Sequence, residues 1–217
     1  MTIKINLKIF LFAIIFYLTK QIHLYGMLMF FAFCHEMGHL FCGLLLGLKP
    51  KALKIMPMGL SVEFKVLPEE YNKKIAKANR LQIKKMWIAF AGPITNMIII
   101  LLSVLLKENI ETGLYQEIVY SNILIAIFNL LPIYPLDGAR MIKALTYMIK
   151  GRKRAMELTN HISNVSIILL TMISSIAIYY YKNIAILLII GYLWSMVIIE
   201  NRRYNLKKRI DKIIENS

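Results

Sequence analysis

The feature that most constrains this chain is a series of apolar runs without charge. Trp87 to Leu106, Ile162 to Tyr181 and Asn183 to Ile199 each hold 17 to 20 residues with no Asp, Glu, Lys or Arg apart from the flanks. At ~1.5 Å per residue such helices cover the ~30 Å of hydrocarbon in a bilayer. A fourth run, Leu114 to Leu131, ends at Pro132 and Pro135, which cannot continue a helix. A fifth, Gly26 to Leu48, is apolar except for His35, Glu36 and His39. The sixth is short: 11 uncharged residues separate Lys8 from Lys20, so this span is expected to recruit Ile5 to Leu7 and Ile22 to Tyr25 while its lysines snorkel. Reading that segment as a signal peptide fails on the lack of a small-x-small cleavage site. A hydrophobic content of 58% and a mean hydropathy of +0.59 exceed what a soluble domain carries and exclude disorder.

The charge pattern orients these runs. There are 27 Lys and Arg against 12 Asp and Glu, a net charge of +15. With six spans, 24 of the 27 basic residues fall in alternate connections and at both ends, leaving only Lys20, Lys107 and Lys182 opposite. That asymmetry predicts six helices with both termini cytoplasmic. It also removes the main support for nucleic-acid binding, because the charge labels topology and forms no binding stripe. The basic stretches Glu69 to Lys85 and Arg202 to Ile214 suit an anionic lipid surface. No repeat or linker divides the chain, so residues 1–217 are expected to form one domain. Cys34 and Cys42 lie eight helical residues apart, about 12 Å, beyond the ~7 Å reach of a disulfide.

An ionisable residue at bilayer depth costs roughly 2.5 to 3.5 kcal/mol on insertion scales, so the segment His35-Glu36-Met37-Gly38-His39 requires a reason. Histidines at i and i+4 project from one helical face about 6 Å apart, close enough for both imidazoles to reach one tetrahedral Zn²⁺. Glu36, beside the first histidine, can act as general base on an attacking water. A catalytic zinc needs a third protein ligand. Glu63, Glu108, Glu111 and His161 are candidates, and Asp137 stands out within Asn129-Leu-Leu-Pro132-Ile-Tyr-Pro135-Leu-Asp137-Gly138. Two prolines three apart break the helix there, and broken backbone at membrane depth is tolerated where it is buried or lines a cavity. The alternative is that Asp137 caps the helix starting near Gly138.

The paired motifs H-E-M-G-H and N-L-L-P-I-Y-P-L-D-G resemble those of the site-2 protease family of intramembrane zinc metalloproteases. The six-span, cytoplasm-in layout is similar to the branch typified by stage IV sporulation protein FB. The resemblance implies one Zn²⁺ per chain on His35, His39 and Asp137, water activation by Glu36, and a role for Asn129 in the broken loop, with Pro135, in orienting substrate. Ala91-Gly92-Pro93 matches a recurring family feature with a structural role. Ala139, where relatives often have a second glycine after Asp-Gly, and Gly59-Leu60, where they often have Gly-Gly, are departures that remove no catalytic atom. No PDZ or CBS domain is expected.

Ala52 to Val66 alternates around turn residues Pro57 to Gly59, which predicts a small interfacial β-hairpin between helices 2 and 3. A helical substrate must unwind before its carbonyls can be attacked, and a strand edge can hold the unwound peptide. The family resemblance places substrate at this point, so Gly59 and Val62 are expected docking residues. The expected fold is therefore an all-α polytopic membrane protein with one hairpin. The expected function is hydrolysis of a peptide bond in a membrane-embedded or membrane-tethered protein, releasing a transcription factor or its regulator. Its expected partners are that substrate, an inhibitory membrane protein and the lipid bilayer. A silent binding homologue would lack the chemistry that Glu36 supplies, and a metal transporter would need ligands at successive depths.

Overall fold

The computed structural model describes residues 2–5, 7–56, 59–65, 75–182 and 184–215. The order is β1 (Thr2–Ile5), α1 (Lys8–Leu18), α2 (Ile22–Leu45), β2 (Lys49–Met56), β3 (Gly59–Lys65), α3 (Ile75–Leu105), a short 3₁₀ turn (Lys107–Asn109), α4 (Thr112–Leu130), α5 (Asp137–Tyr181) and α6 (Ile184–Glu215). The protein is thus mostly helical with the expected hairpin. Among the described residues, three stretches, Ile22–Leu45, Asn79–Leu105 and Asp137–Tyr180, are long and apolar enough to cross a membrane. Helices α4 and α6 lie along the runs Leu114 to Leu131 and Asn183 to Ile199.

The short N-terminal apolar segment between Lys8 and Lys20 differs from expectation. Helix α1 has only 11 residues, about 16 Å of rise, and ends at Thr19 before Lys20 with φ +58°. Ile22 to Tyr25 open α2 instead, and Ile5 belongs to β1, which pairs in parallel with β2 from Thr2↔Ala52 to Ile5↔Ile55. The backbone groups of those first residues are satisfied by a strand partner about fifty positions away, which a span assignment from local hydropathy cannot register. Helix α1 buries Phe12 and Phe16, one turn apart, and the Phe16 ring stacks on Tyr25 at 4.9 Å.

By its contacts the chain forms two units, Met1–Leu130 and Leu131–Ser217. In the first, the sheet order is β1-β2-β3, so β2 is central and β3 is an edge. The antiparallel pairing of β2 with β3 runs from Lys49↔Lys65 to Met56↔Gly59 with an irregularity between Pro50 and Ala52, where proline lacks a ladder donor. Pro57, Met58 and Val66 of the predicted hairpin lie outside the described residues. The basic stretch before the run Trp87 to Leu106 is helical from residue 75 and continuous with it. Within it Lys84 Nζ donates to the Leu46 carbonyl at 2.8 Å, closing the C-terminal end of α2.

Helix α2 buries Phe31, His35, His39 and Gly43, a stripe at four-residue spacing. Small residues let its neighbours approach. A Cβ on Gly38 would lie 2.9 Å from the Ala91 carbonyl oxygen of α3 and would meet the Thr95 hydroxyl. A Cβ on Gly43 would collide with the ring of Phe64 on β3. Close approach through small residues is the usual way to pack helices where no hydrophobic drive exists between them.

In the second unit, α5 is two helices divided at Gly151, whose φ of +77° is the conformation that glycine adopts without strain. The part after Gly151 packs antiparallel on α6. Trp194 Nε1 donates to Thr171 Oγ1 at 3.0 Å, and Asn201 Nδ2 donates to Asn164 Oδ1 at 2.9 Å. Both pairs are nearly equidistant from the turn at Lys182, as a helical hairpin in register requires. Ala155 and Ile167 of α5 and Leu193 and Val197 of α6 are buried.

Candidate metal centre

In the first unit, His35 and His39 are each 2% exposed. Their rings lie edge to face with centroids 4.8 Å apart, as the i, i+4 spacing requires. Helix α3 supplies the surroundings through Ile88, Gly92 and Asn96, again four residues apart on one face. His39 Nδ1 donates to the Ile88 carbonyl at 2.6 Å, and a carbonyl can only accept, so the ring proton sits on Nδ1. His35 Nδ1 lies 2.5 Å from Asn96 Oδ1. Both rings therefore carry the proton on Nδ1 and the lone pair on Nε2, the form in which an imidazole ligates a metal through Nε2.

The Nε2 atoms converge over Gly92. A Cβ built there would lie 2.5 Å from His39 Cε1 and 2.6 Å from His39 Nε2, and would also meet His35 Nε2. Only a residue with no side chain leaves that cradle open. Buried nitrogen donors with fixed tautomers and a cradle that one methyl group would fill suit a borderline-soft divalent ion such as zinc. Glu36 is half-buried on the neighbouring position of α2. Cys34 and Cys42 are reduced and partly buried.

In the second unit, Asp137 is the first residue of α5 and is 3% exposed. Leu136, in extended conformation, holds the capping position with no side-chain hydrogen bond, so Asp137 enters the first turn and does not act as the cap. There its charge meets the positive end of the helix, and Arg140 Nη1 donates to its Oδ1 at 3.2 Å. The proline-broken segment before it is anchored: Tyr134 N–H donates to Ser163 Oγ at 3.0 Å, and Ile133 is fully buried.

Of the other acidic and histidine candidates, Glu108, Glu111 and His161 are exposed and Glu63 is half-buried on β3. Among the described residues, the first unit thus offers two buried imidazole nitrogens, on His35 and His39, and the second a buried carboxylate, on Asp137, donor types that can hold a metal ion. Asn129 lies in the last turn of α4, a correction to its expected place in the broken loop, and its amide donates to the Ile125 carbonyl at 3.0 Å. The helix persists to Leu130 because the prolines that end it come only at 132 and 135. Pro135 is half-buried, Gly59 pairs with Met56, and half-buried Val62 pairs with Leu53. Sequence reasoning missed Ile88, Asn96 and Asn122. The available signal was uncharged polar residues inside apolar runs, with Asn96 one turn from Gly92.

A family model described as peptidase family M50 matches residues 24–114 and 106–173. Among solved structures the chain is similar to the site-2 protease from Methanocaldococcus jannaschii, with a TM-score of 0.67 and 20% identity, covering 91% of this chain and 89% of that one. At that identity the likeness concerns the fold. No curated protein matches the chain. Because the family match runs across α2 with its paired histidines and on through the segment that carries Asp137, the chain belongs to peptidase family M50, whose members are membrane metalloproteases.

Proposed function

We propose that this protein is an intramembrane zinc endopeptidase of the site-2 type that cleaves a membrane-embedded or membrane-tethered protein near the cytoplasmic face. The convergence of the His35 and His39 Nε2 atoms on the cradle left by Gly92 carries this reading. His35, His39 and Asp137 would hold the ion. When bound, zinc supplies Lewis acidity toward water and toward a carbonyl oxygen. Glu36, one position from the first ligand, takes the proton of the attacking water and returns it to the leaving amine. Burial of both histidines excludes bulk water from the pair and strengthens each electrostatic contact there.

The unwound substrate pairs with the edge strand β3 at Gly59 and Val62, beside α2, where Phe64 rests on Gly43. Asn129, in the last turn of α4, and Pro135, within the proline-broken segment, orient the scissile peptide. The chain acts as one domain with six spans and both termini cytoplasmic, as the split of basic residues supports. Its product is a released transcription factor or regulator, its control an inhibitory membrane protein, and its setting the sporulation-type branch that the motifs resemble.

The test is co-expression with candidate single-span substrates, comparing wild type with Glu36→Gln. Zinc retained at one ion per chain with cleavage lost supports the assignment. Cleavage by Glu36→Gln at the wild-type rate would sink it.

A further inference from the structure

Behind His35 stands a pair of asparagines that the proposed chemistry does not use. Asn96 on α3 and Asn122 on α4 are both fully buried. Asn122 Nδ2 donates to the Ile118 carbonyl at 2.8 Å, Asn96 Nδ2 donates to Asn122 Oδ1 at 2.7 Å, and Asn96 Oδ1 faces His35 Nδ1 at 2.5 Å. The direction of this chain follows from its last member. A backbone carbonyl only accepts, so Asn122 must turn its amino group to Ile118 and its oxygen to Asn96. Asn96 must then donate to Asn122 and present its own oxygen to His35. An oxygen facing Nδ1 requires the imidazole proton there. One carbonyl of α4 thus dictates, through two side-chain amides, which nitrogen of a histidine on α2 holds the lone pair.

We infer that Asn96 and Asn122 are positioning residues for the metal, a two-amide relay that fixes His35 in the tautomer whose Nε2 can ligate. The inference rests on the reading of His35 as a metal ligand. Buried amides between helices in a membrane also serve as packing contacts, and a packing role alone predicts different behaviour on substitution. An amide oxygen holds a ligating histidine as carboxylates and backbone carbonyls do in other metal sites, where removing that partner costs about 10- to 100-fold in affinity. His39 needs no such relay because a backbone carbonyl meets it directly. His35 is therefore the ligand whose tautomer depends on replaceable side chains.

The experiment uses detergent-solubilised full-length wild type, Asn96→Leu and Asn96→Asp. Zinc affinity is measured against a chromophoric chelator, and the His35 tautomer is read by ¹⁵N NMR of histidine-labelled, metal-free protein at alkaline pH. Leucine removes the acceptor at similar volume, whereas aspartate keeps an oxygen facing Nδ1 but places a carboxylate against Asn122 Oδ1. The relay predicts that Asn96→Leu loses zinc affinity about 10- to 100-fold and moves the His35 proton toward Nε2. Asn96→Asp should bind zinc within a few-fold of wild type although it melts at lower temperature. Equal zinc loss in both variants, or an Asn96→Leu protein that keeps wild-type affinity and an Nδ1 proton, overturns the relay. If Asn96→Leu does not fold, Asn122→Ala decides by the same two readings, with a several-fold weakening expected and wild-type values overturning it. A wild type that binds no zinc overturns the metal reading itself, and is told apart from failure of the relay because the tautomer is read without metal.

Discussion

Gly92→Ala places one methyl group at the point where the two imidazoles converge. A carbon in ordinary contact sits at about 3.5 to 4.0 Å from its neighbour, so the separations of 2.5 Å to His39 Cε1 and 2.6 Å to His39 Nε2 must open by about 1 Å. Ligand positions in a metal site tolerate about 0.2 Å. Either the rings retreat or α3 moves away from α2, and both remove Nε2 atoms from the ion. Disturbing a hydrogen-bond partner of a ligand costs about 10- to 100-fold in affinity, so displacing the ligands themselves should exceed 100-fold, about 2.8 kcal/mol. Stability moves little in comparison. Alanine gains up to about 1 kcal/mol of helix propensity over glycine, and overpacking costs about 1 to 3 kcal/mol. The assay is zinc stoichiometry and competitive zinc titration of purified protein, with thermal melting alongside. Gly26→Ala on α2 is the control, since a Cβ there meets nothing within 4 Å and should leave zinc binding unchanged. A Gly92→Ala protein that holds one zinc per chain with wild-type affinity would refute the proposed centre.

Gly43→Ala drives a methyl group into the Phe64 ring and should push β3 off α2, lowering cleavage about tenfold (~1.4 kcal/mol) with zinc content unchanged. Adding Phe64→Ala should restore part of the rate, and a rate unaffected by Gly43→Ala would separate β3 from substrate handling. Val62→Pro on the same edge strand should abolish cleavage while the melting transition stays cooperative; full activity would count against strand pairing with substrate. Lys84→Met removes the donor to the Leu46 carbonyl and should lower stability by about 1 kcal/mol, read as a lower melting temperature at unchanged zinc stoichiometry. An unchanged melting temperature would show that the end of α2 is satisfied without it.

The sequence by itself determined what depends on near neighbours along the chain. Apolar runs between charges marked α2, α3, α4 and the halves of α5 and α6, because a helix satisfies its own backbone in lipid and composition decides whether it belongs there. Four-residue spacing put His35 and His39 on one face, since that follows from helical geometry alone. Alternation and turn residues announced the β2–β3 hairpin. The tertiary structure decided everything that joins distant positions. The first residues became a strand rather than part of a span because β2 offered them a parallel partner. The His35 partner lies 61 residues away and the His39 partner 49 residues away. Gly92, which the motif marked only as structural, became the floor under both rings. Asn96 and Asn122 acquired meaning only as a chain of bonds anchored at Ile118. Residue identity states which atoms can ligate, donate or accept. Which nitrogen is left to ligate depends on the acceptor that packing brings to the other one, and no local pattern encodes that choice.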